Sequence, residues 1–137
     1  MNKSTIALLI IISLSFAFCT PKSEQAKKFF DSGKAKIYKS QFEEAIADFD
    51  MAIELQPELY EAYFFRGNAY LNKGDIEKAI EDYDKTIEIR SDYADAYVNR
   101  GNAKTYLYND QSKGCEDWLI AEELGKPNLS DKTKWCK

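Results

Sequence analysis

Apolar residues recur along this chain at helical intervals. Tyr63, Gly67 and Tyr70 mark one side of a first stretch, and Ile76, Ala79, Ile80, Tyr83 and Ile87 mark one side of a second. Spacings of three and four bring such residues onto a single helix face, where they can be buried together. Lys73-Gly74-Asp75 separates the stretches, and a glycine there suits the positive φ that ends many helices. The pattern predicts two helices of about twelve to fifteen residues each, folded back as an antiparallel pair. Strand-like alternation is absent.

The pair is repeated. Gly33, Gly67 and Gly101 stand 34 residues apart. The segment 62–71 returns at 96–105 with six of ten residues identical, and 45–55 returns at 79–89 with six of eleven identical. A fixed period of this size marks a solenoid, in which each unit completes its interior against its neighbours.

These residues resemble the tetratricopeptide repeat family, which places an aromatic, a glycine, a tyrosine, an alanine, a second aromatic, another alanine and a proline at set offsets. Residues 26–59 match through Phe29, Gly33, Ala45, Phe49, Ala52 and Pro57, with Lys36 in the usual tyrosine position. Residues 60–93 match through Tyr63, Gly67, Tyr70, Ala79 and Tyr83, with Thr86 and Ser91 replacing alanine and proline. Residues 94–127 match through Tyr97 and Gly101. With one residue inserted near 108–111, Gly114, Trp118 and Ala121 also fall into register. The resemblance implies an all-α fold: a right-handed superhelical stack of three antiparallel helix pairs, closed by a short capping helix within 128–137. It places Gly33, Gly67 and Gly101 against Ala45, Ala79 and Gly114 at each crossing, where small residues let helix axes approach. Phe49, Tyr83 and Trp118 are expected to wedge between neighbouring pairs.

The amino terminus reads as an export signal. Lys3 supplies a basic start and Ile6–Phe18 an apolar run too short for a membrane span. Two exits compete: Phe16-Ala-Phe-Cys19 resembles a bacterial lipobox with Cys19 as the acylated residue, whereas Ser15-Phe-Ala17 suits ordinary signal cleavage, and an uncleaved membrane anchor is the remaining alternative. Residues 1–18 are thus assigned to the signal and 19–25 to a polar tether. If Cys19 carries lipid, Cys115 and Cys136 remain. Cys115 takes the register position of Ile46 and Ile80, facing the next helix, and only the segment from Asn128 onward can supply that helix. Ser130 is expected to cap it and Trp135 to cover the edge of the third repeat. A Cys115–Cys136 disulfide would staple it in place; two buried free thiols are the alternative.

Composition narrows the function. The net charge of −4 argues against nucleic acid as a partner. The chain has no histidine, the commonest general base and metal ligand. No phosphate loop, nucleophile elbow or zinc-ligand spacing appears, so neither catalysis, a metal nor a cofactor is expected. Asp48/Asp50, Asp82/Asp84 and Glu116/Asp117 could do acid–base work only if buried with separated pKa values. Their recurrence at repeat positions favours a structural role.

The resemblance instead implies binding of a protein or peptide in a concave groove lined by the first helix of each repeat. By register its residues are Lys27, Phe30 and Lys34; Glu61, Phe64, Asn68 and Asn72; and Asp95, Val98, Asn102 and Tyr106. Asn68 and Asn102 are the leading candidates, because an amide both donates and accepts. Some family members clamp chaperone carboxylate tails with lysine, asparagine and arginine. Here those positions hold Phe30, Lys34, Phe65, Asp95 and Asn99, which does not fit that ligand. The expectation is an exported, lipid-anchored, non-catalytic interaction module of the bacterial envelope, membrane-attached if Cys19 is acylated. The alternative is a self-associating, homo-oligomeric structural component using the open stack ends.

Overall fold

A computed structural model describes residues 21–134 and Cys136. The signal segment, Cys19 and Trp135 lie outside the described residues. The elements are α1 (Lys22–Tyr38), α2 (Phe42–Leu55), α3 (Tyr60–Lys73), α4 (Ile76–Ile89), α5 (Ala94–Tyr108), a 3₁₀ turn (Gln111–Gly114), α6 (Cys115–Glu123) and α7 (Ser130–Thr133). Each helix packs on its successor, giving three antiparallel pairs and a terminal cap. Among the described residues there is no strand and no helix long and apolar enough to cross a membrane. Residues 22–25, read from sequence as tether, form the first turn of α1 behind Pro21.

The turn inside each pair uses one conformation. Ser40, Gly74 and Asn109 all have positive φ and stand at equivalent positions once the third repeat is allowed its extra residue. After Gly74 the chain closes with Asp75 N–H donating to the Tyr70 carbonyl at 2.9 Å, which satisfies a helix-end acceptor. The inserted residue lengthens α5 to 15 residues, against 14 in α3. The second helix of that repeat then opens as a 3₁₀ turn, with Asp110 accepting from the Ser112 amide at 2.9 Å.

Alanines form the inner surfaces: Ala45, Ala52, Ala62, Ala79, Ala96 and Ala121 are fully buried. Phe49, Tyr83 and Trp118 are buried with them. At the crossings the glycines lie closest to the aromatics. A Cβ on Gly33 would meet the Phe49 ring at 2.7 Å, and one on Gly67 would meet Tyr83 at 2.9 Å. The glycine notch therefore receives the aromatic of its own pair. In the third repeat Trp118 fills the same notch and Gly114 also lies against the Gly101 carbonyl. Phe49 also reaches the neighbouring repeat, stacking on Phe65 at 6.3 Å, whereas the Tyr83 hydroxyl bonds Asn68 within its own repeat. Thr86, found where the family has alanine, is fully buried and donates its hydroxyl to the Asp82 carbonyl at 2.8 Å.

The cap is anchored by Leu129, 5 % exposed and packed with Tyr97 and Ala121. Because Leu129 fixes the entry of the chain, α7 starts at Ser130 and no side chain caps it, contrary to the role expected of Ser130. Cys115 and Cys136 form a disulfide with Cα atoms 5.3 Å apart. The staple read from sequence is present.

Candidate partner-binding groove

α1, α3 and α5 bring one side chain per repeat to each level of the groove, because their register is 34 residues. The level of Lys34, Asn68 and Asn102 lies midway along it, and the level of Tyr38, Asn72 and Tyr106 lies at its rim. Tyr38 and Tyr106 are strongly exposed, at 83 % and 75 %. Asn102 and Tyr106 are shared by two clefts. One, of about 590 Å³, includes Leu71, Asn72 and Ile76; the other, of about 810 Å³, includes Asn109, Gln111 and Lys132.

Not every expected groove residue is available. Phe64 is 7 % exposed and packs on Tyr83 and Tyr93, so it belongs to the interior. Its large ring fills the space between repeats two and three. Val98 packs against the cluster of Tyr97, Ala121 and Leu129. Asp95 is paired with Lys126 from the segment before the cap, and Lys27 is paired with Asp31 on its own helix. Phe30 is half-buried, 5.6 Å from Phe65. Lys34 lies over both rings, at 5.3 and 5.1 Å. Glu61 stays partly exposed near the start of α3. Asn72, exposed, donates to the Asn68 carbonyl at 2.8 Å.

The two asparagines are already engaged. Asn68 Oδ1 accepts from the Tyr83 hydroxyl at 2.8 Å and from Asn99 Nδ2 at 2.9 Å. Asn102 Oδ1 accepts from Lys132 Nζ at 2.9 Å. Burial pushes the Tyr83 hydroxyl well above the ordinary tyrosine pKa, keeping it neutral as a donor.

The acidic residues are structural, joined by arginines whose role the sequence reading missed. Arg66 bonds Asp82 through two nitrogens at 2.9 and 2.7 Å and reaches Asp50 of the preceding pair at 2.5 Å. Arg100 does the same with Asp117 and Asp84. Burial disfavours both cations, yet the carboxylates outweigh it and hold each pKa above the usual arginine value. Ser32 and Leu119 occupy the corresponding places at the two ends of the stack, and Ser32 bonds Asp48 of its own pair, at 2.6 Å. The signal was present in the repeated Arg-Gly-Asn-Ala string. Lys132 and Tyr38 were also missed: Lys132 lies outside the repeats, while Tyr38 could have been found by stepping 34 residues back from Asn72. No group of three or more metal-ligating residues occurs among the described residues.

Comparison with known proteins agrees with this geometry. No curated protein matches the chain. Among solved structures, the N-terminal domain of stress-induced protein-1 (STI-1) from C. elegans is 23 % identical with a TM-score of 0.76, over 86 % of this chain and 98 % of that one. The Arabidopsis OM64 TPR domain is 23 % identical with a TM-score of 0.75, over 84 % and 93 %. The first TPR of Spaghetti (RPAP3), bound to the HSP90 peptide SRMEEVD, is 21 % identical with a TM-score of 0.75, over 83 % and 89 %. At this identity the likeness is one of fold. The family described as TPR repeat matches residues 33–74 and 67–104, more than half of the sequence, and the chain belongs to the tetratricopeptide (TPR) repeat family.

Proposed function

We propose that this chain is a non-catalytic docking module that receives a protein segment along the concave face of α1, α3 and α5. The observation that carries this reading is the exposed rim of Tyr38, Asn72 and Tyr106, with two open clefts meeting at Asn102 and Tyr106. Solved relatives in fold include one whose structure holds an HSP90 peptide. The clamp positions of this chain, Phe30, Lys34, Phe65, Asp95 and Asn99, do not suit the same ligand, since Asp95 and Asn99 stand where cations are needed.

Export and lipid attachment through Cys19 complete the proposal. They are supported by the apolar run that ends at Phe18, and by a disulfide, which persists in oxidising compartments. One acyl chain anchors weakly, so a second lipid or a second contact is needed for stable attachment. Mass spectrometry of the mature terminus separates acylation at Cys19 from cleavage after Ala17.

Self-association through the stack ends is the weaker reading. In α3 and α5 the face that meets the preceding pair carries Ala62 and Ala96, both fully buried. The equivalent residue in α1 is Lys28, and Asp31 stands where Phe65 packs in the next repeat. A lysine and an aspartate on that face oppose end-to-end stacking. Sedimentation of the chain from residue 20 onward should give a monomer; a concentration-dependent dimer broken by changes at Lys28 and Asp31 would favour assembly instead.

The docking test should use Asn72→Ala/Tyr106→Ala, because Asn68→Ala would also strip two bonds from the stack. Crosslinking in native envelopes should recover less partner from this variant than from the parent. Equal recovery removes the groove as the site.

A further inference from the structure

The acceptor side of the groove amides is largely engaged. Lys132 Nζ donates to Asn102 Oδ1 at 2.9 Å, and since an ammonium has no acceptor, this bond fixes which way the amide faces. Asn68 Oδ1 receives two donors, which fills both of its lone pairs. What Asn68 retains for a ligand is Nδ2, a donor only, while Asn102 offers Nδ2 and one lone pair of an oxygen that already holds a cation. The sequence reading valued these amides for doing both.

Lys34 precedes them at the same register position, and Lys132 follows them on the cap. Lys34 lies over Phe30 and Phe65, and Lys132 lies 4.7 Å from the Trp118 ring centroid. Neither is bonded to a carboxylate among the described residues. Lys27, Lys36, Lys104 and Lys126 contrast with them, being paired with Asp31, Asp48, Asp117 and Asp95. In a chain of net charge −4, the line Lys34, Asn68, Asn102, Lys132 thus presents mostly donors, with a positive charge at each end.

We infer that the groove takes an internal acidic segment of a partner protein, laid across all three repeats with a carboxylate side chain at each end. This rests on the groove-docking reading above. Backbone carbonyls of the segment accept from Asn68 and Asn102, one per repeat, while its carboxylates accept from Lys34 and Lys132. Charge-assisted bonds of this kind are the stronger class. A chain terminus would concentrate its charge at one point, whereas here two neutral amides separate the cations. The cleft of about 810 Å³ beside Lys132 has room for the side chain at that end, although Asp131, paired with Lys134, also lines it.

The test uses fluorescein-labelled oligoglutamate of about ten residues, oligoglutamine of the same length and oligogalacturonate, at low salt where screening is weak. Oligoglutamate should bind and oligoglutamine should not. Lys34→Gln and Lys132→Gln should each weaken oligoglutamate about threefold and together about tenfold, as expected for losing solvent-exposed ion pairs. Neither lysine holds a carboxylate of the fold, and unchanged thermal melts will verify that the variants are intact. Equal binding of the two peptides, an unaltered double variant, or tighter binding of oligogalacturonate overturns the inference. A photo-crosslinking residue at position 106 separates the two levels of the argument. If the native partner still crosslinks fully in the double variant, docking stands and the acidic segment falls; if it never crosslinks there, both fall.

Discussion

Arg100 bonds Asp117 of its own helix pair through two guanidinium nitrogens and Asp84 of the preceding pair through the third. One side chain therefore closes a pair and joins two repeats. Asp117 is almost completely buried and also receives Lys104 at 3.0 Å, while Asp84 is more than half exposed. Asp117→Ala should cost about 3–5 kcal/mol, because it strips two of the three bonds from a partly buried guanidinium and leaves Lys104 without its carboxylate. Asp84→Ala should cost less than about 1 kcal/mol. Urea midpoints measure the difference, and equal losses would contradict the proposed asymmetry.

Gly114 is the least replaceable small residue. A Cβ there would lie 2.7 Å from the Gly101 carbonyl oxygen, a backbone atom. At Gly33 the obstacle is the Phe49 ring, also at 2.7 Å, which can tilt. Both alanine variants should be destabilised by roughly 1–3 kcal/mol, with Gly114→Ala the more severe. Thermal melting ranks them, and the reverse order would show that the third crossing is looser than described.

Tyr83 gives the stack an alkaline limit. Its folded pKa is raised above the ordinary value by burial, so its contribution is present below the unfolded pKa of about 10 and is lost as pH rises toward the folded value. At neutral pH Tyr83→Phe should cost about 1 kcal/mol through the lost bond to Asn68. Above pH 10 the gap should close at up to about 1.4 kcal/mol per pH unit. Some alkaline loss should remain in both proteins, because burial also raises Tyr60, Tyr70 and Tyr93. A gap that stays constant from pH 7 to about 11 would refute the assignment.

Breaking Cys115–Cys136, which spans a sequence separation of 21, should cost roughly 3 kcal/mol by restoring freedom to the unfolded chain. The serine double variant should lose protection from hydrogen exchange first around Leu129 and Thr133, the buried residues of the cap. Uniform loss along all repeats would mean that the crosslink supports the whole stack equally.

The helix pairs were legible in the sequence because period and hydrophobicity agree three times over, and the cysteine pairing followed from the same register. The groove was legible only as a set of positions. Periodicity cannot distinguish Phe64, turned into the interior, from Phe30 at its edge, since both are aromatics at the same step of their helices. Nor does it say which polar atoms are already bonded. Asn68 looked like a two-way contact, but its oxygen is committed to Tyr83 and Asn99 from other helices. Such bonds depend on side-chain orientation across repeats, which spacing along one chain does not encode. Lys132 escaped notice because it belongs to the cap, where no repeat supplies a template.

The arginine joint has two halves, and only the middle unit, residues 60–93, owns both: Arg66 to reach backward and Asp84 to be reached. The first unit has Ser32 in place of the arginine, and the last has Leu119 in place of the aspartate. Tandem duplication of the middle unit alone would therefore lengthen the protein with every new seam chemically matched, whereas copying either outer unit would leave a seam with a missing half. The array can grow from its centre and not from its ends.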